Sequence, residues 1–125
     1  MVGSDYSGTM SQIIYKIVPE ALWREAERNG RFIGAPVDAA DGFIHFSSGD
    51  QARETAAKHF AGQTGLLLVA IDGAKLDDAL KYEVSRGGAL FPHLYGPLDL
   101  EAVVWVQPLP LGTDGLHQFP MLEAE

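Results

Sequence analysis

Three short segments of the chain combine side chains that can transfer protons with large apolar neighbours. They are residues 42–48, 82–85 and 91–96, and two of the four histidines of the chain lie in them. Burying an imidazole, a carboxylate or a phenol is costly unless the group is paired with another polar group. We therefore predict that the three segments meet at one polar pocket.

His45 and Ser47 are the candidates for ligand contact in the first segment. Residues 43–46 are typical of a buried strand, in which alternate side chains share a face, so His45 should lie on the same face as Phe43 and Ser47. If that face opens into a cleft, the imidazole and the hydroxyl are neighbours on its wall. The alternative is a buried histidine that bonds to a backbone carbonyl.

The residues that follow Ser47 indicate the start of a helix. Ser48 is a favourable N-cap, and Gln51 three residues later completes a capping-box pattern, which predicts a helix over residues 49–60. Free N–H groups at such a helix start can bind an anion, although Asp50 could fill this position with its own carboxylate. We include Gln51 among the candidate ligand-binding residues.

Glu83, His93 and Tyr95 are the candidates in the other two segments. Glu83 faces away from its neighbours on a predicted strand, a pattern that by itself slightly favours a solvent-facing glutamate. His93 and Tyr95 lie between two prolines, which restrict the backbone and reduce the entropy cost of holding a side chain in place. As an alternative chemistry, His45, His93 and Glu83 together would supply suitable ligands for a metal ion.

The composition of the chain narrows its class. A length of 125 residues is typical of one domain. The net charge of -8, with only nine Lys and Arg, argues against nucleic-acid or anionic-membrane partners but not against a small anionic ligand. The longest strongly apolar run, residues 66–71, is too short to cross a bilayer. There is no cysteine, so we expect no disulfide and a reducing compartment, the cytoplasm.

The pattern of apolar residues and turn signals predicts an α+β fold. After a flexible leader over residues 1–10, residues 11–125 are expected to form a single domain with two helices and five or six strands. Residues 31–41 are expected to be a loop, and residues 91–97 are too rich in proline and glycine for a regular central strand. The predicted strands cover residues 13–18, 43–46, 66–71, 80–85 and 102–106, and the predicted helices cover residues 19–29 and 49–60, with one helical turn over residues 74–79.

The chain resembles the domain of unknown function 952 family from residue 14 to about residue 106. The resemblance rests on residues 14–17, Trp23, residues 41–47, Gln51, residues 82–83 and residues 91–96. It implies an ADP-ribosyltransferase-like fold, in which a split, mixed β-sheet surrounds a cleft that binds NAD.

The resemblance also implies roles for individual residues. His45 corresponds to a strand histidine that holds a ribose, and Glu83 to a late-strand glutamate that stabilises the ribose as the glycosidic bond breaks. Tyr95, or alternatively Tyr82, corresponds to the tyrosine that stacks on nicotinamide, whereas His93 has no clear counterpart.

The candidate function is therefore the binding of NAD, ADP-ribose or another nucleotide, with glycosidic cleavage or ADP-ribosyl transfer as the reaction if there is one. Glu83 and His93 are the candidate catalytic residues. His45, Ser47, Gln51 and Tyr95 are the candidate ligand-binding residues. The alternatives are a ligand-sensing module without turnover and a hydrolase that binds metal through histidine and glutamate.

Overall fold

The computed structural model describes residues 12–122, so the predicted leader over residues 1–10 lies outside the described residues. Within residues 12–122 the chain forms eight β-strands and three α-helices, with three short 3-10 segments, which confirms the α+β class. In chain order the elements are β1 (Ile13–Pro19), α1 (Glu20–Asn29), β2 (Arg31–Phe32), α2 (Pro36–Asp41), β3 (Ile44–His45), α3 (Ala52–His59), β4 (Leu66–Asp72), β5 (Leu80–Val84), β6 (Leu90–Leu94), β7 (Leu98–Asp99) and β8 (Val103–Pro108).

The first sheet has the order β1-β4-β8, with β4 at its centre. Strand β4 coincides with the predicted apolar strand, and it is buried almost throughout because both faces of this sheet are covered. On one face a core forms with Trp23 of α1 and with residues of β3 and β6. On the other face Ala56 of α3 and Leu109 pack against Tyr15 and Leu68.

The second three-stranded sheet has the order β3-β6-β5 and carries the candidate site. His45 pairs with His93, and Glu83 pairs with Phe91. Because Phe91 and His93 are two residues apart on β6, the side chains of His45, His93 and Glu83 lie on the same face of this sheet. Among residues 12–122, a single bridge joins the two sheets. The backbones of Tyr15 and Ser47 exchange hydrogen bonds of 2.8 and 2.9 Å.

Two expectations about the sheets are wrong. Strand β6 is regular and lies at the centre of its sheet. Pro92 is tolerated in it because its carbonyl accepts a hydrogen bond from Phe46 N–H, while proline has no N–H that would need a partner. The β3–β6 ladder ends at this point. The mixture of parallel and antiparallel strands is not found either, because every strand pairing within residues 12–122 is antiparallel.

The predicted loop over residues 31–41 is also wrong, because it contains β2 and α2. Helix α2 begins at Pro36, whose fixed φ and missing N–H suit a first helical position. It ends at Asp41, and Gly42 caps it in the left-handed conformation with a φ of 87°. This third helix matters for function because it carries Asp38 and Asp41.

Helix α3 starts later than predicted. The helix begins at Ala52, and residues 48–51 form a turn in front of it. Gln51 Oε1 accepts the N–H of Ser48 at 3.0 Å, which is one half of the expected capping box. No helix among the described residues is long and apolar enough to cross a membrane.

Candidate functional site

Asp38 is the centre of a buried polar cluster between α2, β1 and β3. Its side chain is 1% exposed, and every group around its carboxylate donates a hydrogen bond. Lys16 Nζ lies 3.1 Å from both carboxylate oxygens. Oδ1 also accepts His45 N–H at 3.1 Å and faces His45 Nδ1 at 2.6 Å, while Oδ2 accepts Ala35 N–H at 2.6 Å. The carboxylate therefore fixes β1, the start of α2 and the His45 ring relative to one another.

Burial and these contacts together determine the ionisation of Asp38 and Lys16. Burial alone would raise the pKa of Asp38, but the hydrogen bond from His45, the charge of Lys16 and the two backbone N–H groups lower it to about 2. Burial lowers the pKa of Lys16, and the neighbouring Asp38 carboxylate partly offsets this effect. The carboxylate is therefore charged at neutral pH.

His45 contacts a second carboxylate at its other ring nitrogen. Its Nε2 lies 2.9 Å from Asp41 Oδ2, and the Asp41 side chain is 48% exposed, in contrast to buried Asp38. Carboxylate oxygens accept hydrogen bonds and do not donate them when ionised. Both contacts of His45 are therefore hydrogen bonds at the same time only when the ring carries two protons. Because Asp41 is exposed, it is the partner that a ligand could replace.

His93, Glu83 and Tyr95 form the second polar cluster, on the neighbouring strands. His93 Nδ1 lies 2.8 Å from Glu83 Oε1, and the Tyr95 hydroxyl donates to the same oxygen at 2.7 Å. Hydrogen bonds from His93 and Tyr95 lower the pKa of Glu83. Conversely, the bond to Glu83 raises the pKa of the Tyr95 hydroxyl. With Nδ1 directed at a carboxylate, Nε2 is the ring nitrogen of His93 that remains for another molecule.

Phe43 connects the two clusters through ring contacts. Its ring is stacked on His93 with centroids 4.1 Å apart, and it lies 4.7 Å from the ring of His45 and 5.2 Å from that of Tyr95. The two imidazole centroids are 5.5 Å apart in an edge-to-face arrangement. Phe43 thus fixes the orientation of both imidazoles.

These histidines lie on the wall of a cavity of about 540 Å³. The cavity occupies the gap between β1 and the β3–β6 strands, and α3 forms its far side. Its lining includes Tyr15, Lys16, Ile17, Val37, Asp41, His45, Phe46, Ser47, Thr55, His59, Phe60, Ser85, Phe91 and His93.

The structure places three of the six sequence-predicted residues on this cavity. His45, Ser47 and His93 line it, and Ser47 Oγ lies 2.9 Å from Thr55 Oγ1. Glu83 and Tyr95 are not among the lining residues and connect to the cavity through His93. Gln51 is not among the lining residues either, and it donates to the carbonyl of Leu90 at 2.7 Å, which ties the start of α3 to β6.

Two carboxylates and one histidine of the site were not identified from the sequence. Asp38 and Asp41 lie in the segment interpreted as a loop, and the available signal was the spacing of Pro36 and Gly42 around a six-residue helix. His59, near the end of α3, is exposed and lines the cavity.

The metal alternative finds no support in this geometry. Within residues 12–122 no group of three or more His, Cys, Asp or Glu side chains is arranged to hold a metal ion. His45 directs its ring nitrogens at Asp38 and Asp41, and His93 directs Nδ1 at Glu83. The carboxylates therefore act as partners of the imidazoles.

Comparisons with known proteins identify relatives without assigning an activity. The family described as Protein of unknown function (DUF952) matches residues 17–106. A crystal structure of protein CC0527 from Caulobacter crescentus is 52% identical, with 86% of this chain and 94% of that chain covered and a TM-score of 0.82. The solution NMR structure of CC0527 is 53% identical, with 85% and 91% covered and a TM-score of 0.77. No curated protein matches the chain.

Proposed function

The chain belongs to the DUF952 family, and we propose that its cavity binds a ribose-bearing small molecule such as NAD, ADP-ribose or another nucleotide, on which His93 performs acid–base chemistry. The proposal includes the ADP-ribosyltransferase-like fold that the resemblance implies. The observation that carries it is a pair of histidines on adjacent strands, each held by a carboxylate, facing one cavity.

The size and lining of the cavity support the binding half of the proposal. A volume of about 540 Å³ lies within the roughly 300–1,000 Å³ of typical small-molecule sites. Phe60 and Phe91 supply apolar surface against which a flat ring can pack, while Ser47 and Thr55 supply hydroxyls. In this proposal His45 contacts a ribose hydroxyl, and Asp41 gives up its place at His45 Nε2 to the ligand.

The charge of the lining sets a limit on the ligand. Lys16 is already paired with Asp38, and Asp41 adds a negative charge at the mouth of the cavity. A phosphate-bearing ligand must therefore meet His45, His59 and His93, the lining side chains besides Lys16 that can carry positive charge. We accordingly expect the nucleoside part to contribute most of the affinity, and phosphates to add little at low ionic strength.

The pairing of His93 with Glu83 supports the catalytic half of the proposal. A carboxylate at Nδ1 selects the tautomer and orientation of an imidazole, so that Nε2 can take or give a proton. Glu83 does not line the cavity, so we assign it the role of positioning His93 rather than direct contact with an oxocarbenium-like ribose. Tyr95 holds Glu83 in place by donating to the same oxygen.

Titration calorimetry with NAD, ADP-ribose, AMP and adenosine tests binding, and an NAD-hydrolysis assay tests turnover. We expect His45→Ala to weaken binding of each nucleotide, and His93→Asn to slow turnover while leaving most of the affinity. Removing one such acid–base group is expected to slow turnover by roughly a hundredfold or more. His117→Ala is the matched control, because His117 bonds to the carbonyl of Gln63 outside the cavity.

The alternative of a sensing module without turnover has a distinct outcome in the same experiments. Nucleotide binding that depends on His45, with no hydrolysis by the wild type, would favour that alternative. No binding of any nucleotide at millimolar concentration would refute the proposed function.

A further inference from the structure

The free edge of β1 offers backbone hydrogen-bonding groups to the cavity. The backbone N–H and C=O groups of the even-numbered residues of β1 point towards β4. This is shown by the bonds that flank the strand, from Gly73 N–H to Gln12 O and from Glu20 N–H to Gly65 O, both 2.9 Å long. Tyr15 exchanges its backbone bonds with Ser47 on the opposite edge. Because alternate residues of a strand direct their N–H and C=O to the same edge, the backbone groups of Ile17 also point away from β4.

The backbone groups of Ile17 do not pair with β3, although the neighbouring Tyr15–Ser47 bridge would allow it. If β1 and β3 continued in register from the Tyr15–Ser47 bridge, Ile17 would pair with His45. Instead, His45 N–H bonds to the carboxylate of Asp38, and the bridge at Tyr15 stands alone. Within residues 12–122, neither the N–H nor the C=O of Ile17 makes a hydrogen bond to another protein group.

This unpaired edge is buried and borders the cavity. Ile17 is only 6% exposed, and it lines the cavity together with Tyr15, His45 and Ser47. The great majority of buried backbone N–H and C=O groups in proteins are paired, either with other protein groups or with ordered water. The donor and acceptor of Ile17 therefore mark a place where a bound molecule completes the hydrogen bonding of the fold.

The length of the free edge decides what kind of molecule fits. On the edge of β1 that points away from β4, the backbone groups of Tyr15, two residues before Ile17, are already bonded to Ser47. Two residues after Ile17 stands Pro19, which has no N–H. A peptide strand needs a run of such positions, so it could not form a ladder here. One donor beside one acceptor instead matches the edge of a single planar amide.

We infer that the ligand of the cavity presents a planar amide edge, as found in a carboxamide, a lactam or a cyclic imide, to the N–H and C=O of Ile17. The inference rests on the proposed function and deepens it, because it names the chemical group that the cavity recognises. The amide N–H of the ligand donates to Ile17 O, and its carbonyl accepts from Ile17 N–H. The ring that carries this amide packs among Phe60, Phe91 and Tyr15.

Nuclear magnetic resonance on the isotope-labelled full chain tests the inference at the atoms concerned. Uracil serves as the cyclic-imide probe and benzamide as the carboxamide probe. Their matched controls are 1,3-dimethyluracil and N,N-dimethylbenzamide, which keep the ring but lack the N–H. We expect at least one probe to shift the Ile17 amide and carbonyl signals and to slow hydrogen exchange of that amide. The amides of Lys16 and Val18, which face β4, serve as internal references.

The outcomes separate the inference from the proposed function. We expect the methylated control to bind at least roughly fivefold more weakly than its parent, the effect of about one net hydrogen bond. The stronger of the two parent probes distinguishes an imide of the nucleobase type from a carboxamide. If the methylated molecules shift His45 and His93 as strongly as their parents, with Ile17 unaffected, the inference is wrong while binding in the cavity stands. If neither the probes nor the nucleotides bind, both are refuted.

Discussion

Replacing Asp38 with asparagine should destabilise the protein more than any other single change in the polar cluster. The change leaves the Lys16 ammonium buried without its counter-ion, which typically costs about 3–5 kcal/mol. An asparagine also directs an NH₂ group at neighbours that all donate, namely Ala35 N–H, His45 N–H and Lys16 Nζ. For a domain of this size the loss corresponds to a decrease in Tm of about 12–20 °C.

A double-mutant cycle isolates the ion pair from the rest of the site. Lys16→Met removes the charge that Asp38→Asn leaves unpaired, so the double variant should recover at least about half of the loss. Urea unfolding of the wild type, both single variants and the double variant gives the four free energies. A loss below about 1 kcal/mol for Asp38→Asn, or a double variant as unstable as the sum of the singles, would refute the reasoning.

The same pair predicts how stability depends on pH. The pKa of Asp38 is lowered from 3.8 to about 2 in the folded protein, a difference equivalent to about 2 kcal/mol. Because the folded-state pKa is the lower one, this contribution is fully present above pH 4 and is lost as the pH falls towards 2. The Asp38→Asn variant should lack this part of the acid sensitivity, as measured by unfolding at pH 6, 4 and 2.5.

Three further predictions concern the neighbouring residues. Glu83→Gln should return the raised pKa of the Tyr95 hydroxyl towards its ordinary value, because the charge that favours the neutral phenol is removed. Carbon NMR of the Tyr95 ring measures this pKa, and an unchanged value would contradict the assigned hydrogen bond. In the wild type the hydrogen bond between Tyr95 and Glu83 stabilises the fold below pH 10, and its contribution should decline as the pH rises through the raised pKa of Tyr95. Comparing the unfolding of the wild type and of Tyr95→Phe at increasing pH measures this decline. Gly34→Ala should destabilise more than Gly62→Ala: both positions have positive φ, but only at residue 34 would the new Cβ lie 2.8 Å from Asp38 Cβ. Thermal unfolding of the two variants compares them, and equal losses would mean that Asp38 can move without cost.

Several elements could be predicted because their signals are local. The continuous apolar run of β4 predicts a buried strand, and Pro19 and Gly30 mark the two ends of α1. Period-two alternation also placed His45 and Ser47 on the same wall. These inferences depend only on residues within a few positions of one another.

Asp38 shows why the rest could not be predicted. It lies in a stretch without apolar periodicity, so nothing local indicates that it is 1% exposed. Its burial depends on Lys16, which is 22 residues away, and on the ring of His45. Likewise, nothing in the pattern of β1 or β3 reveals that the two strands separate after one bridge. That separation creates the cavity, and only the tertiary arrangement determines it.

The single bridge between Tyr15 and Ser47 has a consequence for how the protein can move. Each three-stranded sheet keeps all of its internal ladder bonds if that bridge opens, because the two sheets share no other strand pairing within residues 12–122. Widening the gap at that point breaks two backbone hydrogen bonds and stretches the contacts of Asp38, while the core that β1 and β4 share with β3 and β6 opposes a larger separation of the sheets. Small rotations of the two sheets that leave this core packed would therefore change the width of the cavity without breaking any ladder bond.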